Sequence, residues 1–133
     1  MMKIFSVTLL AVLSSFPLAC GYSSKTPTPA QPGAMPAISQ LAPNSTSHGT
    51  PALVLTVNGS NFSATAVVNF NGAAQTTTQV SGNQLTATIA ASDLATAGTV
   101  PVTVTNPGTP GMGIYGSGGT LAETSSPMNF TIN

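Results

Sequence analysis

Apolar and polar residues alternate in seven short segments between residue 38 and the C-terminus. This period of two is typical of β-strands with one buried face, because successive side chains point to opposite sides of the backbone. Turn-forming sequences such as Asn71-Gly72 separate several of the segments. Their apolar positions are Ile38 and Leu41; Leu53, Leu55 and Val57; Val68 and Phe70; Val80; Leu85, Ala87 and Ile89; Val100, Val102 and Val104; and Met128, Phe130 and Ile132.

The pattern predicts an all-β domain, an immunoglobulin-like two-sheet β-sandwich of about seven strands. A single sheet could not bury these apolar faces without a second layer. Residues 76–80 are mostly polar, so we expect them to form a strand at a sheet edge. Residues 91–97 are the one helical candidate, a single connecting turn with Ser92 as its cap and Asp93 near its start.

Residues 36–133 resemble the IPT/TIG family of immunoglobulin-like domains. The most specific part is Gly59-x-Asn61-Phe62, where we expect the glycine to permit a sharp bend that returns Phe62 to the core. The segment Thr109–Ser126 is longer and richer in glycine than is usual in the family. The resemblance implies a domain of the kind found in cell-surface receptors, bacterial surface proteins and accessory domains of starch-acting enzymes. It is carried by residues 36–43, 49, 55–62, 68–73, 85–89, 98–104, 106–108 and 129–132.

Residues 1–19 have the pattern of a secretory signal peptide. Lys3 precedes an apolar run over residues 4–13, and Ser14, Ser15 and Pro17 follow it. The run is shorter than the ~20 residues that a membrane-spanning helix needs. The alternative is an N-terminal helix or strand buried in the fold.

Leu18-Ala19-Cys20-Gly21 resembles a bacterial lipobox, in which Cys20 becomes the acylated N-terminus. The residue three before the cysteine is Pro17, where a lipobox usually has leucine. The alternative is ordinary cleavage near Ala19 or Gly21, which would release a periplasmic or secreted protein. No aspartate follows Cys20, so the usual sorting rule for lipoproteins points to the outer membrane or the cell surface.

Residues 20–35 are predicted to be a tether between this anchor and the domain at 36–133. Pro27, Pro29 and Pro32 alternate with small polar residues, and no apolar pattern recurs. Such a composition favours a semi-extended, disordered chain that reaches ~3 Å per residue. It would lift the domain away from the membrane.

Only four residues of the 133 carry a full charge: Lys3, Lys25, Asp93 and Glu123. Nucleic-acid binding and polybasic attachment to anionic lipids both need clusters of Lys and Arg, so we expect neither. His48 is the single histidine, too few for a zinc site with three or four protein ligands. Two carboxylates and one histidine in loops also predict no catalytic residues and no cofactor.

Residues 111–116 match the GxGxxG pattern of dinucleotide sites, but glycines and serine follow where a helix should begin. We therefore interpret this stretch as a flexible loop that binds no nucleotide. Its apolar residues Met112, Ile114 and Tyr115 form a possible contact loop, since loops at sandwich ends often bind partners. The expected function is a non-catalytic surface module that binds a protein or glycan. A structural spacer and an accessory subunit of a carbohydrate-active system are the alternatives.

Overall fold

The computed structural model describes residues 30–111 and 118–133, which fold into two β-sheets. Ten strands occur in this part of the chain, and seven of them correspond to the seven alternating segments. The other three, β2, β5 and β9, have only two residues each. The strands are β1 (Ala37–Ala42), β2 (Ser45–Thr46), β3 (Leu53–Ser60), β4 (Val67–Phe70), β5 (Ala73–Ala74), β6 (Thr76–Ser81), β7 (Gln84–Ile89), β8 (Gly98–Asn106), β9 (Glu123–Thr124) and β10 (Met128–Ile132).

The first sheet has the strand order β1-β3-β7-β6, and all its pairs are antiparallel. The second sheet has the order β2-β10-β8-β4-β5, and β9 pairs with the end of β8. All pairs of the second sheet are antiparallel except the short parallel pair of β2 with β10. The predicted immunoglobulin-like β-sandwich is therefore confirmed.

The core between the sheets is built from the alternating positions. Phe70 and Phe130 meet edge to face, with ring centroids 5.5 Å apart and an angle of 68° between the ring planes. This arrangement suits the ring quadrupoles and adds to the benefit of burial. Ile38, Leu53, Val100 and Met128 pack against the core but remain partly exposed. The fully buried apolar residues of the strands include Leu55, Val57, Val68, Leu85, Ile89, Val102 and Val104.

β6 lies at the edge of the first sheet, as its polar sequence predicts. The chain changes sheets between β5 and β6, at Gln75. The Gln75 N–H donates to the carbonyl of Val68 (2.8 Å), and the Val68 N–H donates to the Thr77 hydroxyl (2.9 Å). These two bonds close the seam between the sheets on this side of the sandwich.

The connector after β7 differs from its prediction. It is a 3₁₀ helix of four residues, Ala91–Leu94, and Ala90 occupies its N-cap position without a side-chain capping bond. Ser92 lies inside the turn, so its prediction as the cap is wrong. The turn is held instead by Leu94, which is fully buried and packs with the core.

The turn at Asn71-Gly72 has the geometry that its sequence predicts. Asn71 and Gly72 both have positive φ, 52° and 82°, in the two-residue turn that joins β4 to β5. The Asn71 N–H donates to the carbonyl of Pro101 (2.9 Å). Pro101 of β8 therefore faces the residue that follows β4. The ladder of β4 with β8 ends at the pair Phe70–Val102, so the N–H that Pro101 lacks interrupts none of the ladder's pairs.

The bend after β3 is made by a different residue than the sequence indicates. Asn61 has the positive φ, 59°, whereas Gly59 does not. Gly59 is needed for a close approach: a Cβ there would overlap the carbonyl oxygen of Ala37 and lie 2.6 Å from the Phe62 ring. The prediction that Phe62 returns to the core is confirmed, since the residue is 4% exposed.

Candidate functional site

The two ends of the sandwich carry different features, and β8 runs from one end to the other. We call the end that contains the start of β8 the Asp93 pole, and the end that contains Asn106 the tether pole. The Asp93 pole comprises residues 44–50, 71–72, 91–98 and 133. The tether pole comprises residues 30–36, 61–63, 106–111 and 118–123.

At the tether pole, the first described residues are paired with the long glycine-rich segment. The Gln31 N–H donates to the carbonyl of Gly119 (3.0 Å), and the Leu121 N–H donates to the carbonyl of Gln31 (2.9 Å). Thr109 and Thr120 form an antiparallel bridge through both their backbones and their hydroxyls. Residues 31–35, which the sequence assigns to the tether, thus contact the domain through one isolated β-bridge at Gln31 and through the carbonyls of Ala34 and Met35.

Asn106 holds this pole together. Its side chain is 5% exposed, and its amide NH₂ donates to the carbonyls of Ala34 (2.8 Å) and Asn61 (2.7 Å). Its Oδ1 accepts from the Ser63 N–H (3.0 Å). One buried amide therefore joins the N-terminal segment, the bend after β3 and the end of β8. The Asn106-Pro107-Gly108 sequence marks a turn, but nothing in it predicts that the amide is buried.

An apolar groove opens where the N-terminal segment enters β1. It has a volume of about 330 Å³ and lies between residues 35–38 and 126–128. Met35 is 60% exposed beside it, while Ile38 and Met128 are half-buried. The groove follows the seam between β1 and β10, on the side opposite to the Gln75 crossover.

The residues predicted to act in anchoring and contact lie outside the described residues. Cys20 precedes residue 30, and Met112, Ile114 and Tyr115 fall within residues 112–117. The residues that flank 112–117 are described: the bridge of Thr109 with Thr120 sits beside Gln31. The ends of the possible contact loop and the end of the tether therefore meet at one pole.

The Asp93 pole contains a polar groove of about 370 Å³. Asp93, Ser92, Thr96, Thr99 and Asn71 line it, together with four apolar or glycine residues. Asp93 Oδ2 accepts a hydrogen bond from Gln75 Nε2 (3.1 Å). Asp93 thus has a neutral hydrogen-bond partner and is exposed to solvent.

The two carboxylates lie far apart. Asp93 belongs to the pole where β8 begins, and Glu123 pairs with Asn106 where β8 ends. Strand residues rise about 3.3 Å each, so the nine residues of β8 separate the two by roughly 26 Å. Acid–base pairs of glycosidases are about 5–9.5 Å apart. This separation excludes a catalytic pair formed by these two residues within one chain.

His48 is held by the backbone at the Asp93 pole. Its Nδ1 lies 2.7 Å from the main-chain oxygen of Asn133, and the His48 backbone N–H donates to the same oxygen. The imidazole is therefore held by the main chain of Asn133, whereas a catalytic histidine of a serine triad is oriented by an Asp or Glu side chain and hydrogen-bonds to a serine.

The described part of the chain has neither a metal-binding cluster nor a membrane-spanning helix. No group of three or more His, Cys, Asp or Glu side chains there could hold a metal ion. Within residues 30–111 and 118–133, no helix has the length and hydropathy needed to cross a membrane.

Comparison with known proteins supplies the family. No curated protein and no solved structure matches the chain significantly. The family description that matches is the IPT/TIG domain, over residues 36–131. Domains of this family are immunoglobulin-like binding or structural modules and are generally non-catalytic. The match covers most of the 133 residues, so the chain belongs to the IPT/TIG family.

Proposed function

We propose that this protein is a non-catalytic, lipid-anchored protein of the bacterial cell envelope whose single IPT/TIG domain binds a protein or a glycan. The family match over residues 36–131 carries the proposal, because it assigns a module of the binding or structural kind. The anchor and the ligand class are finer than that match, and each has separate support.

Support for the anchor comes from the N-terminal sequence. An apolar run of signal-peptide length over residues 4–13 precedes Leu18-Ala19-Cys20-Gly21, and Cys20 is the single cysteine of the chain. A thiol at this position is available for acylation and has no second cysteine for an intramolecular disulfide. Two or more acyl chains would hold the protein stably on the outer membrane or the cell surface.

The length of the tether sets how far the domain stands from that surface. Because residues 31–35 contact the domain, at most residues 20–30 of the proposed tether remain to span the distance to the membrane. Eleven residues at ~3 Å each allow roughly 30 Å. The domain would therefore work close to the membrane, within reach of envelope glycans and neighbouring envelope proteins.

Support for a binding role comes from the composition of residues 112–117. Met112, Ile114 and Tyr115 are the apolar and aromatic residues of the segment between Gly111 and Gly118. Tyrosine commonly anchors protein interfaces, and its ring also stacks well on sugars. The scarcity of charge argues for a neutral partner such as a glycan or an uncharged protein surface, and against nucleic acid or nucleotide.

Two observations support the proposed lack of catalysis: domains of this family are generally non-catalytic, and the ionisable residues are not arranged as a catalytic site. The roughly 26 Å between Asp93 and Glu123 and the main-chain partner of His48 leave these three residues without the arrangement of a glycosidase pair or of a serine triad. A module that only binds or spaces would need no cofactor. A spacer of the envelope without a ligand, or an accessory subunit of a carbohydrate-active system, are the alternatives within the same family role.

Binding to a glycan array and pull-down from envelope extracts test the ligand-binding role. We expect the wild-type chain to bind a ligand reproducibly. Replacing both Met112 and Tyr115 by Ala should lower the affinity at least about tenfold, because truncating the anchor residues of an interface has effects of this size. Val54→Ala is the matched control, since Val54 is 58% exposed on the first sheet. No ligand in either assay would favour the spacer, and equal binding by the double variant would mean that the ligand binds away from Met112 and Tyr115.

A further inference from the structure

The free edge of the first sheet, strand β6, is open along most of its length. Native proteins usually protect such edges with charged residues, prolines or very short strands, because an open edge recruits another strand. β6 has six residues, Thr76–Ser81, with no charged residue and no proline. A register shift between Gln79 and Ser81 interrupts only its last part.

The other sheet edges have the protection that β6 lacks. β1 is flanked by Pro36 and Pro43, and its register shifts at Ser39, whose hydroxyl donates to the carbonyl of Asn58 (3.1 Å). β2 and β5, the outer strands of the second sheet, have two residues each. Among the described strands, β6 is thus the edge best able to accept a further strand.

The backbone direction at β6 sets which groups are available. The carbonyl oxygen of Thr78 accepts a hydrogen bond from the Thr86 hydroxyl (3.4 Å), so the Thr78 carbonyl points toward β7. Neighbouring residues of a strand present their N–H and C=O groups to opposite sides. The N–H and C=O groups of Thr77 and Gln79 therefore point away from β7, toward the open edge.

We infer that β6 pairs with β6 of a second copy of this chain, antiparallel and across a two-fold axis at Thr78. In this register Thr77 lies opposite Gln79 of the other copy, and each such pair exchanges two hydrogen bonds. The two edges then satisfy each other with four hydrogen bonds and join two four-stranded sheets into one of eight strands. A contact of this kind is isologous, with the same residues on both sides.

The charge of the sheet favours a second copy as the occupant. The four strands of the first sheet contain no charged residue, so two identical edges approach without electrostatic repulsion. The exposed side chains nearest the axis are Thr76, Thr78 and Val80, and Val80 is 58% exposed. A small interface of this type belongs to the weak, concentration-dependent class. The inference needs neither the lipid anchor nor the contact loop.

Charge reversal at the axis is the direct test, with the full chain kept in a non-ionic detergent. The two Thr78 side chains face each other in a pair whose Cα atoms are about 4.5 Å apart. We expect sedimentation velocity to show dimers of the wild-type chain that grow with concentration. Thr78→Lys alone and Thr78→Glu alone should each weaken the dimer at least about tenfold through like-charge repulsion. An equimolar mixture of the two variants should restore it.

Val54→Lys is the matched control, since it adds the same charge to an exposed valine on β3, two strands from the edge. It should leave the dimer unchanged, and circular dichroism should show the same fold for every variant. A wild-type chain that stays monomeric overturns the inference. So does a β6 edge that binds an extended strand of another protein and not a second copy of this chain. Dimers that Thr78→Lys does not weaken, or a mixture that does not associate, overturn it as well.

Discussion

Replacing Phe130 by alanine should lower the free energy of unfolding by about 3–5 kcal/mol, the range for a fully buried phenylalanine. Phe130 is fully buried on β10, and its ring meets that of Phe70 edge to face at 5.5 Å. The substitution leaves a cavity between the sheets and removes the aromatic pair. Because domains of this size are stable by only about 5–15 kcal/mol, the variant should unfold at a much lower urea concentration.

The control for this loss is Val54→Ala on the outer surface of β3. Val54 is 58% exposed, and changes at such positions usually alter stability by less than about 0.5 kcal/mol. Urea denaturation followed by circular dichroism measures both variants. A loss at Phe130 no greater than that at Val54 would mean that the two sheets do not share this core.

Replacing Gly59 by alanine should cost about 2–3 kcal/mol or more, at the upper end of overpacking effects. The added methyl group would overlap the carbonyl oxygen of Ala37 and press on the Phe62 ring. Both neighbours are fixed, Ala37 by its pairing with Ser60 and Phe62 by burial. β1 must therefore move away from β3 at its first residues, and the urea midpoint should fall.

Gly82→Ala is the control for Gly59 because it adds the same methyl group where there is room. The nearest atom to a Cβ at Gly82 is the carbonyl oxygen of Phe62, at 3.9 Å, and Gly82 does not have positive φ. Its stability should be unchanged or slightly raised, since alanine restricts the unfolded chain. Equal losses in the two variants would contradict the role given to the close approach at Gly59.

Strand positions could be predicted because each strand carries its own alternating pattern. Leu85, Ala87 and Ile89 are buried on one face as that pattern requires, and the polar β6 lies at an edge. The pattern says nothing about which strands pair. The parallel pair of β2 with β10 depends on a two-residue strand, too short to show any period.

Features of the tether pole could not be predicted, because they depend on contacts between residues distant in sequence. Asn106 reads as an ordinary turn residue, yet its buried amide binds the carbonyl of Ala34, 72 residues away. Gln31 lies in a proline-rich stretch without apolar pattern, and nothing in that stretch predicts its pairing with Thr120. Ser92 failed as a cap because burial of Leu94 sets where the 3₁₀ turn begins.

The location of the protein decides which partners it can meet, so the state of Cys20 is central to the proposed function. Intact mass spectrometry of the protein in the membrane fraction measures it most directly. We expect a chain that begins at Cys20 and carries the added mass of its acyl groups, and we expect Cys20→Ser to leave the membrane fraction. An unmodified N-terminus on the mature chain, or a Cys20→Ser variant that stays with the membrane, would contradict the lipid anchor.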